Sequence, residues 1–287
     1  MSRMKRIKTS MTQFPDIAPP SMVLLASEFR VFWELWAGLV SHRLVQRLVP
    51  QGDGHPVLVI PGLGASDTST ALLRRFLDDV GYATYPWGLG RNRGLKEEGP
   101  ELMRQRLQFI FDHHSTKVSV IGQSLGGVFA REMARLDPAM VRQVITLGSP
   151  FTGHPLASTG THLYEWLSGD NLEDMDFNQH LAMRIKPPVP TTSIYSKLDG
   201  VVAWECSIEE GRPGGESINL RGNSHIGMGS SPNALYLIAD RLAQPQDHWQ
   251  PYEPKGLAKL FFGPNDHVPK PPKGSGSSRQ QSRHAVP

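Results

Sequence analysis

The sequence predicts an α/β fold: a mostly parallel sheet with helices on both faces. Two observations carry that prediction. Short β-branched runs alternate with longer helical patterns from about residue 55 to 150 and again from 191 to 244. The strand runs are apolar at nearly every position rather than at every second one, as expected of strands buried on both sides.

Taken in order, "HPVLVIPGLGASD" gives a strand over Val57 to Ile60 and a Gly-rich loop, and "TSTALLRRFLDDVG" a helix ended by Gly81. "YATYPW" reads as a strand, "EEGPELMRQRLQFIFDHH" as a helix, "KVSVIG" as a strand, "LGGVFAREMARLD" as a helix and "VRQVITLGSP" as a strand. The rhythm breaks between 151 and 190, where a mixed stretch reads as an insertion or small lid. It resumes with "TTSIYSKLDG", "ESINLRGNSH" and the helix "SPNALYLIADRLAQ". The expected organisation is an N-terminal tail and helix over 1–49, an α/β domain over 50–244, and an extension over 245–287. The extension's Pro, Lys, Gly and Ser content predicts disorder from about 268, with "GLAKLFFG" able to dock on the body.

Upstream of the domain, Leu25, Phe29, Phe32, Trp36, Leu39 and Val40 recur at spacings of three and four, an amphipathic helix. Glu28, Arg30 and Glu34 interrupt it and argue against a membrane span. The plain expectation is that this stripe packs on the domain; the other is peripheral contact with a lipid surface. The first residues lack the apolar run of a secretory signal, so the expected compartment is the cytoplasm, with membrane association left open.

Composition excludes several classes. With 39% apolar and 20% charged residues among 287, the chain has the make-up of a globular protein. Its net charge of +3 is concentrated at the two ends, which gives no nucleic-acid groove. One cysteine, Cys206, allows no internal disulfide and reads as a small buried hydrophobe. No metal or cofactor motif emerges: "GLG" and "GLGRNRG" lack the full Gly-x-Gly-x-x-Gly spacing of a dinucleotide loop.

Chemistry concentrates at "VIGQSLGG". The Gly-x-Ser-x-Gly string is short enough to arise by chance, but here it joins a buried strand to a helix. In such a corner Ser124 stands clear of the sheet, and Gly122 and Gly126 sit where a Cβ would collide. The helix that follows aims its amides and positive dipole end at the same spot. A serine hydroxyl needs a base, and a base needs an orienting carboxylate.

Of eleven histidines, His113 and His114 end a helix, His55 precedes a strand, and His154, His162 and His180 fall in the insertion. His225 follows a strand and falls at the same sheet edge as Ser124, as does Asp199. Asp170, Asp174, Asp176 and Glu205 are rival carboxylates, ranked below Asp199 because of its strand-end position. The expected oxyanion donors are the amides of Leu125 and Leu63. Trp87, Phe151 and Trp166, with Leu63, are candidate walls of a substrate site, and the alternative is that these aromatics are simply core.

These residues resemble a known family. "VLVIPGLGAS", "VIGQSLGG", "TLGSPFTG", "KLDGVV" and "NSHIGM" stand in the order seen in the α/β-hydrolase superfamily, and the chain looks most like its bacterial lipase and esterase members over about 55–243. The resemblance implies ester hydrolysis through an acyl-serine without a cofactor, on a small-molecule or lipid ester. Pro61 departs from the pattern, standing where many members carry histidine. Acyl transfer through the same acyl-enzyme is the alternative activity, and a non-catalytic lipid-surface protein on this fold is the alternative class.

Overall fold

A computed structural model describes residues 17–94, 98–152, 183–209, 211 and 213–265. The first strand, β1 (Pro56–Ile60), is buried at every position. It lies between β2 (Ala83–Pro86) and β3 (Val118–Gln123), parallel to both. β4 (Val141–Leu147), β5 (Thr191–Tyr195) and β6 (Gly215–Leu220) continue the parallel array, and β7 (Phe262–Asn265) closes it antiparallel on β6. The order across the sheet is β2-β1-β3-β4-β5-β6-β7.

Alternate residues of the inner strands β1, β3 and β4 feed two separate cores, which is why these strands read as largely apolar runs, while β5 and β6 add to one core only. Val57, Val59, Ile121, Ile145, Ile194 and Ile218 face one way, against Leu73, Phe76 and Leu77 of α3 (Ala71–Asp79) and Leu235 and Ile238 of α6 (Pro232–Leu242). Leu58, Ile60, Val118, Val120 and Val144 face the other way, against Leu107 and Ile110 of α4 (Gly99–His114) and Ala130 and Met133 of α5 (Leu125–Leu136). Burying each large aliphatic side chain contributes roughly 1.5–3 kcal/mol, so either core alone can hold its layer of helices to the sheet. The fold is that of the α/β-hydrolases, a mostly parallel sheet covered on both faces. Cys206 is buried, packed near Val202 and Ala203, as its sequence context implied.

The N-terminal helix corrects one expectation. It runs as α1 (Met22–Ala26), a 3-10 turn (Ser27–Arg30) and α2 (Val31–Leu48), and it docks on the domain with its polar side inward. Phe29, Phe32, Trp36, Leu39 and Val40 are exposed, and Leu25 is half-buried. Glu28, Gly38 and Val45 are the buried positions of this segment. Gly38 lies so close to the Ser230 carbonyl that a Cβ would collide with it. His42 pairs with Asp79 at 2.9 Å and meets the Phe76 ring edge-on. The inversion has a local cause in the loops beneath, described below.

The segment "GLAKLFFG", expected to dock, does so as α7 (Ala258–Phe261) and β7. The remainder of the insertion (153–182) and the tail from 266 lie outside the described residues, so the expectations for them concern positions the structure does not describe.

Candidate active site

The corner between β3 and α5 is built by steric exclusion. Ser124 takes φ 51° and ψ −123°, a left-handed conformation that costs a non-glycine residue on the order of 1–3 kcal/mol. A Cβ on Gly122 would collide with the backbone of Gly126 and Gly127. One on Gly126 would sit 2.6 Å from the carbonyl oxygens of Ile60 and Pro61. The Ser124 N–H is held by the Leu147 carbonyl at 2.8 Å, which ties the corner to the end of β4. The side chain is left half-exposed at the N-terminus of α5.

Opposite stands a buried carboxylate–imidazole pair. His225 Nδ1 and Asp199 Oδ2 are 2.6 Å apart. Asp199 follows β5, and its other oxygen accepts from the N–H groups of Val201 and Val202, each at 2.8 Å, so the carboxylate cannot turn away. His225 follows β6. Its ring and the Asp199 carboxylate lie about 3 Å from where a Cβ of Gly148 would be, and Gly148 adjoins the Leu147 that holds Ser124. Gln123, beside Ser124, donates to the carbonyls of His225 and Ile226 at 3.3 and 3.1 Å. The three residues therefore gather at one edge of the sheet, tied together through Gln123, Leu147 and Gly148. Among the described residues no hydrogen bond joins Ser124 Oγ to His225.

Burial by itself disfavours the charged imidazole of His225. The Asp199 charge and hydrogen bond, with a smaller contribution from Glu28, outweigh it and raise the pKa above the ordinary 6.5. Glu28 is one residue the sequence did not offer. Its Oε1 accepts from the N–H of Gly200 at 2.9 Å and of His225 at 3.0 Å, bridging the residues next to and within the pair. Glu34 accepts from the Ser224 N–H at 2.8 Å and from its hydroxyl. Arg30, which pairs with Glu34 at 3.5 Å, donates to the carbonyls of Leu198 and Asn223. These backbone groups are buried by the helix and need partners, which explains why its polar side faces inward.

The loop after β1 passes close to the serine: a Cβ on Gly62 would lie 3.3 Å from Ser124 Cβ. Among the described residues neither the Leu63 nor the Leu125 N–H donates to a backbone carbonyl. Asn92, a second residue the sequence did not single out, is fully buried and clamps this loop. Its side chain donates to the Pro61 carbonyl at 2.8 Å, its N–H to Ala65 O at 2.8 Å, and its carbonyl accepts from Gly64 N–H at 2.6 Å.

Of the candidate walls, Trp87 is buried in the core beside Leu58 and Ile60 and donates its indole N–H to the Gly90 carbonyl. Phe151 is fully buried beneath the Arg131 guanidinium, which lies 3.7 Å from its ring centre. Both occupy interior positions. Trp166, like Asp170, Asp174, Asp176, His154, His162 and His180, lies outside the described residues. A second Asp–His–Ser set exists: His55 Nε2 meets Ser119 Oγ at 2.8 Å, and its Nδ1 meets Asp53. Ser119 is fully buried mid-strand with no approach for a substrate, so this set is structural. No group of three or more His, Cys, Asp or Glu among the described residues is arranged to hold a metal.

A family model described as the PGAP1-like alpha/beta domain matches residues 101–186, the stretch that carries the serine corner. The triacylglycerol lipase of Vibrio cholerae is 26% identical over 128 residues, 43% of this chain and 41% of that protein. The chain is thus similar in sequence to lipases, on an α/β-hydrolase fold. A second relative of this lipase-like chain, the triacylglycerol lipase of Pseudarthrobacter phenanthrenivorans, is 28% identical over 36% of this chain and 35% of that protein. The chain thus spans about two-fifths or less of the length of these curated relatives. Among solved structures, lipase B of Aspergillus fumigatus is 20% identical with a TM-score of 0.49, covering 67% of this chain and 53% of that one.

Proposed function

We propose that this chain is a serine hydrolase that cleaves carboxylic esters through an acyl-serine intermediate. His225 Nε2 takes the Ser124 proton as Oγ attacks the acyl carbonyl. Asp199 keeps the Nδ1 proton in place and stabilises the imidazolium that forms. The N–H groups of Leu63 and Leu125 receive the developing oxyanion, and the positive end of α5 adds to its stabilisation. The imidazolium then protonates the leaving alcohol. A water, deprotonated by the same His225, hydrolyses the acyl-enzyme and returns Ser124 to its starting form. A Ser124–His225 hydrogen bond forms in the substrate complex, since catalytic pairs are often loose in the free enzyme.

The observation that carries this reading is the 2.6 Å His225–Asp199 pair at the same sheet edge as a serine held at positive φ. Similarity to proteins named triacylglycerol lipases favours an acyl ester with an apolar chain. The test is hydrolysis of p-nitrophenyl esters of graded chain length by the parent and by Ser124→Ala. The parent turns them over, and the variant falls by several orders of magnitude because the three residues act as a unit. Equal rates for the two proteins would remove the acyl-serine from the account.

A further inference from the structure

The N-terminal helix grips the loops beneath it with its polar side and leaves a large apolar side in water. Phe32 is 73% exposed, Trp33 69% and Trp36 58%, with Phe29, Leu39, Val40 and Leu44 exposed beside them. Exposure on this scale along one helix marks an interaction surface. One turn further along the same face come Arg43 and Arg47, both exposed. Over Phe29 to Leu48 the acidic residue is Glu34, and it is engaged with Ser224 on the inner side. The outer face therefore combines aromatic and aliphatic side chains with cations and carries no acid. Upstream the sequence adds Arg3, Lys5, Arg6 and Lys8. Two more exposed apolar residues, Leu198 next to Asp199 and Ile226 next to His225, lie on loops that the inner side of the helix holds directly.

We propose that this outer face docks the protein on an anionic lipid surface. A membrane interface accepts aromatic rings at headgroup depth, takes up aliphatic side chains just below it, and attracts cations to its phosphates. The helix lies in the interface rather than crossing it, and no helix among the described residues is long and apolar enough to cross a membrane. Because Glu28 on the inner side of the same helix touches the His225 and Gly200 backbones, docking holds the edge that carries His225 about one helix diameter from the lipid. Docking does not depend on the hydrolase reading, since it is a property of the helix surface.

The experiment is co-sedimentation of the full chain, carrying Ser124→Ala so that nothing is turned over, with vesicles of phosphatidylcholine alone or mixed with phosphatidylglycerol. Binding to the mixed vesicles is expected, with affinity about tenfold or more above that for phosphatidylcholine alone. Adding Phe32→Ser, Trp33→Ser and Trp36→Ser together is expected to lower it by at least about tenfold at an unchanged melting temperature, since these side chains are exposed in the folded protein. Arg43→Gln with Arg47→Gln weakens binding to the mixed vesicles and not to phosphatidylcholine. The proposal is overturned if the chain sediments with neither vesicle, or if the triple variant binds as its parent does. It is also overturned if the chain forms a dimer that the triple variant splits while vesicles are ignored, which assigns the face to a second copy.

Discussion

Replacing Glu28 probes the link between the N-terminal helix and the histidine–aspartate pair. Glu28 is buried, and its Oε1 is the acceptor for two backbone N–H groups, those of Gly200 at 2.9 Å and His225 at 3.0 Å. In Glu28→Ala both lose their acceptor. A buried N–H left unpaired costs about 1–3 kcal/mol, and two neighbouring losses do not add fully, so the expected destabilisation is about 3 kcal/mol. At about 2–4 °C per kcal/mol for a domain somewhat smaller than this one, melting falls by roughly 6–12 °C. Glu28→Gln separates charge from hydrogen bonding, because its amide oxygen can still accept from both groups. The Glu28 charge is one of the contributions that raise the His225 pKa. A general base works when neutral, so activity rises with pH through the His225 pKa. The ascending limb of kcat/KM therefore lies above pH 6.5 in the parent and moves to lower pH in Glu28→Gln. Thermal unfolding of both variants and the pH profile on a soluble p-nitrophenyl ester read these effects. An alanine variant that melts with the parent, together with a glutamine variant whose limb does not move, would refute the coupling.

Asp199→Asn keeps the size of the side chain but is predicted to lower kcat by roughly 10³–10⁴-fold, because the amide favours the wrong imidazole tautomer; steady-state kinetics check it. Asn92→Ala removes the 2.8 Å bond to the Pro61 carbonyl and loosens the Leu63 loop. It is predicted to lower kcat by about ten- to a hundredfold while KM changes less, since a small misplacement of the donor acts mainly in the transition state. His55 has its pKa lowered below 6.5, chiefly by burial and against the pull of Asp53. Its folded form resists protonation, so its part of the stability is present above pH 6.5 and is lost as pH falls from there towards the folded pKa. The raised pKa of His225 acts oppositely: its part is fully present below pH 6.5 and is lost as pH rises through the folded value. Urea unfolding at a series of pH values is expected to show less loss on the acid side in His55→Gln than in the parent.

What the sequence disclosed follows from where the information resides. Strands β1, β3 and β4 were readable because both faces are buried, which favours apolar side chains at successive positions, whereas β5 and β6 bury Thr191, Thr192, Ser193, Glu216 and Ser217 and were readable from their place in the strand–helix rhythm. The corner was readable because Gly122 and Gly126 answer a steric demand that no other residue meets. Asp199 and His225 followed from strand-end position, since parallel strands deliver their following loops to one edge. The direction of the N-terminal helix was hidden for the converse reason. The groups that draw Glu28 and Glu34 inward are backbone amides of Gly200, Ser224 and His225, and an amide looks the same in every residue. The apolar periodicity named the stripe correctly but could not say whether the domain or some other surface receives it. Asn92 escaped for a related reason, as all four of its partners, on Pro61, Gly64, Ala65 and Gly94, are main-chain groups. β7 is a four-residue strand containing Pro264, too short for alternation to show. Trp87 and Phe151 show that a large aromatic near a catalytic motif reads alike whether it lines a cleft or fills the core.

The central claim, that Ser124 is an activated nucleophile, is tested most directly by treating the full chain with a fluorophosphonate and mapping the adduct by mass spectrometry. The account predicts one adduct per chain, on Ser124, formed more slowly after His225→Ala and absent after Ser124→Ala. An unlabelled parent protein, or a label on any other residue at undiminished rate in Ser124→Ala, would contradict it.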